Sequence, residues 1–155
     1  MTESDEVNFQ GYSMHLADDL VGLGVSAITQ VGNMYLQNVR NIDDYYARID
    51  SGAVTDDRGV RLTREDQIRR HVIMSLICEM SLDTAECSSL FGIDFNEHFS
   101  AELTALEALA ADGLLTLSDT EIKVQERGRP FLRNICMPFD AYLTGQHTQR
   151  FSATV

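Results

Sequence analysis

Lysine is almost missing from this chain. Lys123 is the only one; the other eleven basic residues are arginines, set against 24 Asp and Glu for a formal charge of −12 over 155 residues. A chain this acidic is repelled by phosphate backbones and anionic bilayers unless its cations gather on one face. Neither nucleic acid nor a membrane is therefore an expected partner. Cysteine is also scarce. Cys78, Cys87 and Cys136 are odd in number and widely spaced, which excludes a C-x-x-C pair, a zinc pattern and a disulfide framework. Cys78 and Cys136 fall in apolar helical stretches and read as small buried hydrophobes. No apolar run approaches the roughly 20 residues that a membrane-spanning helix needs. The start, Met1-Thr2-Glu3-Ser4-Asp5-Glu6, has no apolar core behind a basic end. It does not have the form of a secretory signal, and a cytoplasmic location is expected.

What is present is ordinary for a globular protein: 44% apolar and 23% charged residues. Two short apolar stretches, Val7-Asn8-Phe9-Gln10-Gly11-Tyr12 and Leu20-Val21-Gly22-Leu23-Gly24-Val25-Ser26-Ala27-Ile28, flank a polar connection through Ala17-Asp18-Asp19. Their length and glycine content predict strand then loop for both. Gly22-x-Gly24 lacks the third glycine and the opening helix of a dinucleotide fingerprint. A helix is predicted over 41–49, capped by Asn41, with Asp43 and Asp44 in its first turn and Tyr45, Tyr46 and Ile49 on one face. Ser51-Gly52 ends it, and 54–60 reads as an acidic linker.

Three capped helices follow. Thr63 with Asp66 opens the first, whose Ile68, Val72, Ile73, Leu76, Ile77 and Met80 form an apolar face. Asp83 with Glu86 opens a second that stops at Gly92. Asp94 with Glu97 opens a third, running through Phe95, Phe99, Leu103, Leu106 and Leu109 to a stop at Asp112-Gly113. Leu115 and Leu117, then Ile122 and Val124, alternate with polar residues about a turn at Ser118-Asp119-Thr120-Glu121, which predicts a hairpin. After Gly128, Pro130 lies near the start of a final helix carrying Phe131, Leu132, Ile135, Cys136, Phe139 and Leu143. Three helices, a hairpin and a closing helix match a winged-helix type of domain.

Little along the chain has the form of an active site. The helix over 94–112, where a DNA-reading helix would lie, has Glu97, Glu102 and Glu107 on its exposed face and neither Lys nor Arg. That favours protein packing over contacts to phosphates and guanine. His15, His71, His98 and His147 have no metal-ligand spacing. Ser26 is not in a nucleophile elbow, and Asp18-Asp19 and Asp56-Asp57 read as solvated loop carboxylates. Arg69 and Arg70 point about 100° apart on a helix, so one can grip an acidic partner while the other faces water. Arg127, Arg129 and Arg133 gather at the start of the last helix, where they oppose its dipole and point to an acidic surface elsewhere. The residues alone support an α+β, mostly helical domain without a self-contained active site.

Several stretches, in one order, resemble oxygen-independent coproporphyrinogen III oxidase. Asn8-Phe9-Gln10-Gly11-Tyr12 and Gly22-Leu23-Gly24-Val25-Ser26-Ala27-Ile28 are similar to the last barrel segment of that family. Arg61-Leu62-Thr63-Arg64-Glu65-Asp66, with Ile68-Arg69-Arg70 and Leu76-Ile77-Cys78, resembles the start of its helical carboxy-terminal domain. Arg133-Asn134-Ile135-Cys136-Met137-Pro138-Phe139-Asp140 resembles its final helix, and Phe151-Ser152 its terminus. The Asn-Phe-Gln-Gly-Tyr element favours this enzyme over the related haem chaperone.

The resemblance implies an enzyme of haem synthesis that oxidatively decarboxylates coproporphyrinogen III to protoporphyrinogen IX. It implies a [4Fe–4S] cluster on a C-x-x-x-C-x-x-C motif and S-adenosylmethionine as the radical source. That motif does not occur in the 155 residues, so this chain is expected to be inactive alone. The amino-terminal catalytic half, or another copy of this chain, is its expected partner. The implied layout is a barrel remnant over 1–40, helix and linker over 41–60, a winged-helix-like domain over 61–144 that covers the barrel, and a tail over 145–155. Ile28 is expected to contact S-adenosylmethionine, and Gln10 to face the active-site cavity. Without the other barrel strands, the stretch from Val7 to Ile28 is expected to be disordered, rearranged or paired with another copy. The alternative is a free-standing, non-catalytic interaction domain derived from the family.

Overall fold

The structure, a computed structural model, describes residues 7–8, 11–12 and 19–143. Two compact units divide the chain; of the described residues, 19–67 form one, and 7–8, 11–12 and 68–143 belong to the other. Near the start, β1 (Val7–Asn8) and β2 (Gly11–Tyr12) pair antiparallel, with Val7 opposite Tyr12. Gln10 lies outside the described residues.

Between 19 and 67 the main feature is a three-stranded antiparallel sheet of β3 (Ile28–Val31), β4 (Met34–Asn38) and β5 (Asp56–Arg61), in that order. The stretch 20–28 departs from its expected order of strand then loop. Leu20 makes only an isolated bridge to Gln30, 21–27 is a loop, and the strand begins at Ile28. The glycines explain the difference, because residues without side chains gain little from a pleated surface. The acidic linker expected over 54–60 is also corrected, since most of it is strand. Tyr35 and Leu36 of β4 stand opposite Val60 and Gly59, and this pairing overrides a composition that reads locally as loop. Asp57, Arg58 and Arg61 then keep the edge of the sheet charged, a common protection for an edge strand.

Helix α1 (Ile42–Ser51) forms as its capping residues predict. The Asn41 side-chain oxygen accepts the backbone N–H groups of Asp43 and Asp44 at 2.8 and 3.1 Å, and Gly52 ends the helix. None of its residues is buried. Ile42, Tyr46 and Ile49, one face at i, i+4 and i+7, are 54, 58 and 51% exposed.

Helix α2 (Arg64–Glu79) carries the chain across the boundary, and Thr63 opens it with a reciprocal box. Thr63 N–H donates to Asp66 Oδ2 at 2.8 Å, and Asp66 N–H donates to Thr63 Oγ1 at 3.1 Å. Met80, expected on the helix face, instead leaves it with a φ of 60°. The chain turns there into β6 (Ser81–Asp83), a strand the periodicity does not reveal. With β7 (Leu115–Leu117) and β8 (Glu121–Val124), the expected hairpin, it makes a sheet of order β6-β8-β7 in which Ile122 sits between Leu82 and Leu117.

Helices α3 (Thr84–Phe91), α4 (Phe95–His98) and α5 (Ser100–Ala111) pack beside that sheet. The single helix expected over 94–112 is broken at Phe99, whose φ of −109° departs from helical geometry. Its ring is fully buried, 4.9 Å from Phe95 and 5.4 Å from Phe139, so core packing bends the chain at that residue. The expected final helix is likewise divided into a 3₁₀ segment (Glu126–Phe131), α6 (Leu132–Cys136) and a 3₁₀ turn (Met137–Phe139). Pro130 and Pro138 lack the N–H that a continuous helix needs. Gly128 packs so closely that a Cβ there would lie 2.1 Å from the Leu114 carbonyl oxygen. The core joins Val72, Leu76, Cys87, Phe99, Leu106, Ile122, Ile135 and Phe139, none of them exposed. Among the described residues no buried side-chain polar atom lacks a hydrogen-bond partner.

Candidate functional site

Ile28 stands at the first position of β3, opposite Gln37, and is 42% exposed. The loop before it folds back so tightly that a Cβ on Gly22 would lie 2.5 Å from the Ile28 carbonyl oxygen and 2.9 Å from its nitrogen. Only glycine permits backbone to pass backbone at this distance. The loop's polar groups are turned inward. Gly22 N–H donates to Thr29 Oγ1 at 3.0 Å and Gly24 N–H to the Tyr45 hydroxyl at 3.2 Å. Ser26 N–H donates to the Val39 carbonyl at 2.8 Å.

Asn38 is the centre of this arrangement. It is 4% exposed, and with Val39 makes up the buried residues among the described part of its unit. Its side-chain amide donates to the Gly24 carbonyl at 2.7 Å and, more weakly, to the Gly22 carbonyl at 3.4 Å. Its side-chain oxygen accepts the Thr55 hydroxyl at 3.1 Å. Ser26 holds a left-handed φ of 58°, a conformation costing about 1–2 kcal/mol for a non-glycine residue. Its carbonyl accepts the Gln37 side chain at 3.0 Å, which helps to hold it there. The sequence reading passes over Asn38, Tyr45 and Thr55 as members of this site. The one signal available is the polar pair Gln37-Asn38 set inside the otherwise apolar stretch Met34-Tyr35-Leu36-Gln37-Asn38-Val39.

The loop thus offers an exposed aliphatic side chain beside backbone whose polar groups are largely satisfied internally. Such a surface suits contact with an apolar group and does not suit a free charge. Burial raises the Cys136 thiol from the ordinary 9.0 to about 12. Burial, and then the neighbouring Glu86 carboxylate, raises the Cys87 thiol to about 11. Among the described residues no three His, Cys, Asp or Glu side chains gather as a metal site.

The other candidates are structural. Arg69 of the Arg69–Arg70 pair grips an acidic partner. Its guanidinium donates to Glu102 at 2.9 Å and to the Phe139 carbonyl at 3.2 Å, and lies 5.3 Å from the Phe99 ring centre. Glu102, expected on an exposed face, is therefore mostly enclosed. Arg129 meets the exposed Glu126 at 3.6 Å. Asp57 lies 3.7 Å from Arg48, and Asp19 accepts the Gly32 N–H at 2.6 Å. His98 packs edge-on against Phe99, and His71 against Phe91. His71 also lines an open cleft of about 470 Å³ with Ser75, Glu79, Asp83, Glu86 and Glu121. His15, His147 and Asp18 lie outside the described residues.

Residues 62–131, which hold the core helices and the β6-β8-β7 sheet, match the family described as the HemN C-terminal domain. The whole chain is similar to oxygen-independent coproporphyrinogen III oxidases. It is 45% identical to that of Pseudomonas aeruginosa over 96% of this chain and 32% of the relative. With that of Escherichia coli it shares 42% identity over 96% of this chain and 33% of the relative. A solved structure described as coproporphyrinogen III oxidase (HemN) from Escherichia coli, a radical SAM enzyme, matches with a TM-score of 0.81 and 42% identity, over 88% of this chain and 32% of that one. Residues 62–131 thus carry a HemN C-terminal domain, and the chain is similar to a part of oxygen-independent coproporphyrinogen III oxidases. It spans about a third of the length of these relatives.

Proposed function

We propose that this chain is the carboxy-terminal part of an enzyme that oxidatively decarboxylates coproporphyrinogen III to protoporphyrinogen IX. In this reading a radical barrel carries the [4Fe–4S] cluster, and S-adenosylmethionine supplies the radical when bound there. This chain completes the barrel wall with the loop ending at Ile28, where the isoleucine side chain contacts S-adenosylmethionine, and with Gln10 facing the cavity. The 61–144 region acts as a winged-helix-like cover that helps to enclose the substrate and exclude water. The observation that carries the reading is the apolar surface between 19 and 67. Val21, Leu23 and Val54 are 68, 87 and 72% exposed, together with the Ile42–Tyr46–Ile49 face of α1. Large apolar side chains exposed in this number suit a region that another body covers, and the relatives are about three times as long as this chain.

The test is a graft in which this chain replaces the matching third of the Pseudomonas aeruginosa relative, with the cluster reconstituted without oxygen. Formation of protoporphyrinogen IX at a rate near that of the parent is expected. A folded, cluster-loaded graft that binds S-adenosylmethionine yet leaves coproporphyrinogen III unchanged would sink the proposal. A second reading, a free-standing interaction domain, draws on the continuous core of 68–143 with its satisfied polar groups. It predicts that the chain alone is a stable monomer or symmetric dimer and that the graft is inactive.

A further inference from the structure

We infer that Asn38 is the positioning residue that fixes where Ile28 meets the cofactor; the inference rests on the reading of Ile28 given above. A buried asparagine in a small unit needs a reason. An apolar residue of similar size would add hydrophobic stability at that position, whereas a buried amide destabilises the fold unless every polar atom finds a partner. Here both ends are engaged. The Nδ2 group binds the Gly24 and Gly22 carbonyls, and Oδ1 binds the Thr55 hydroxyl. The Asn38 backbone N–H also donates to the Ala27 carbonyl at 3.0 Å.

One residue therefore ties together the loop, the end of β4 and the approach to β5. The pairing register between β4 and β5 shifts between Gln37 and Asn38, and such a bulge re-aims a side chain out of the regular alternation. What the amide holds is the path of the loop, and through it the start of β3 where Ile28 projects. The Gly22 backbone lies directly against that of Ile28, so the loop and Ile28 move together. Asn38 itself touches no reacting group in this account. It acts through the loop and Ile28.

Two measurements separate this role from general stability. In the full chain, Asn38→Ala is expected to speed hydrogen exchange at the amides of Gly24, Ser26 and Ala27 by about tenfold or more, leaving Val72 and Leu76 unchanged. In the graft, the same substitution is expected to raise KM for S-adenosylmethionine about tenfold, with kcat and the KM for coproporphyrinogen III within about twofold of the parent. Asn38→Asp, which keeps the size and the Thr55 contact but loses the amide donors, is expected to behave like Asn38→Ala. Thr55→Val, which leaves the donors in place, gives a smaller shift in the same direction. If Asn38→Ala and Thr55→Val both leave KM for S-adenosylmethionine unchanged while Ile28→Asp raises it, the positioning role is wrong and the reading of Ile28 stands. If Ile28→Asp itself has no effect, that reading fails and the role of Asn38 fails with it. Unchanged exchange at the loop amides in Asn38→Ala would also overturn the inference.

Discussion

Arg69 on α2 and Glu102 on α5 meet at 2.9 Å, with side chains only 18 and 15% exposed. The guanidinium also donates to the Phe139 carbonyl and lies over the Phe99 ring, so one arginine joins α2, α5 and the closing segment. Removing one member of an enclosed ion pair strands the other charge, which is worse than removing both. Arg69→Met is therefore expected to destabilise the protein by about 2–3 kcal/mol, with Glu102→Leu similar, and the double substitution by less than either alone. Urea unfolding of the three variants checks this. Additive losses would mean that the pair is not coupled.

The raised thiols give a dependence on alkaline pH. In the unfolded chain Cys87 and Cys136 lose their protons near the ordinary 9.0, whereas in the fold they hold them to about 11 and 12. Above pH 9 the native state binds more protons than the unfolded one, so stability falls as pH rises. The contribution is whole below pH 9 and is lost between pH 9 and 12. Cys136→Ala, which should destabilise by about 1–2 kcal/mol at pH 8 through lost packing, should show a shrinking deficit as the pH rises toward 11. Paired urea titrations at pH 8 and 11 make the comparison; a constant deficit would mean that Cys136 titrates normally in the fold.

Local chemistry was legible where it acts over three or four residues. The capping residues Asn41, Thr63, Asp83 and Asp94 each do what their spacing implies, because a cap bond depends only on its own turn. The β7–β8 hairpin was legible for the same reason. Elements that depend on distant partners were not. β5 is a strand because β4 offers it a row of bonds, and β6 because β8 does. Phe99 breaks its helix because a ring from another segment, Phe139, meets it in the core. The candidate site divides the same way. The glycines and Ile28 could be read from a motif, whereas Asn38 and Thr55, 17 residues apart, come together only through the fold.

Gly128 tests close packing in the 68–143 unit. A Cβ there would meet the Leu114 carbonyl oxygen at 2.1 Å and Val124 Cγ1 at 2.9 Å. The first of these atoms is backbone and cannot rotate away. Gly128→Ala is expected to destabilise the protein by about 2–3 kcal/mol, although alanine restricts the unfolded chain and would otherwise stabilise slightly. A thermal midpoint equal to that of the parent would show that the closing segment can shift at little cost.

Gly22→Ala puts the same geometry to work at the candidate site. The added carbon would fall 2.5 Å from the Ile28 carbonyl oxygen and 2.7 Å from its carbonyl carbon, so the loop must lift from β3 or β3 must bend. Either movement displaces Ile28 and stretches the bonds from Asn38 to the Gly22 and Gly24 carbonyls. The expected cost is about 1–3 kcal/mol, borne by the 19–67 unit. Hydrogen exchange should quicken at Ser26 and Ala27, whose amides bond to Val39 and Gly24, and stay unchanged at Val72 and Leu76 in the other unit. In the graft, KM for S-adenosylmethionine should rise while kcat at saturation changes little, because the contact proposed for Ile28 is one of binding. A Gly22→Ala protein with parental exchange at the loop would mean that the close approach of Gly22 to Ile28 is not what holds the loop in place.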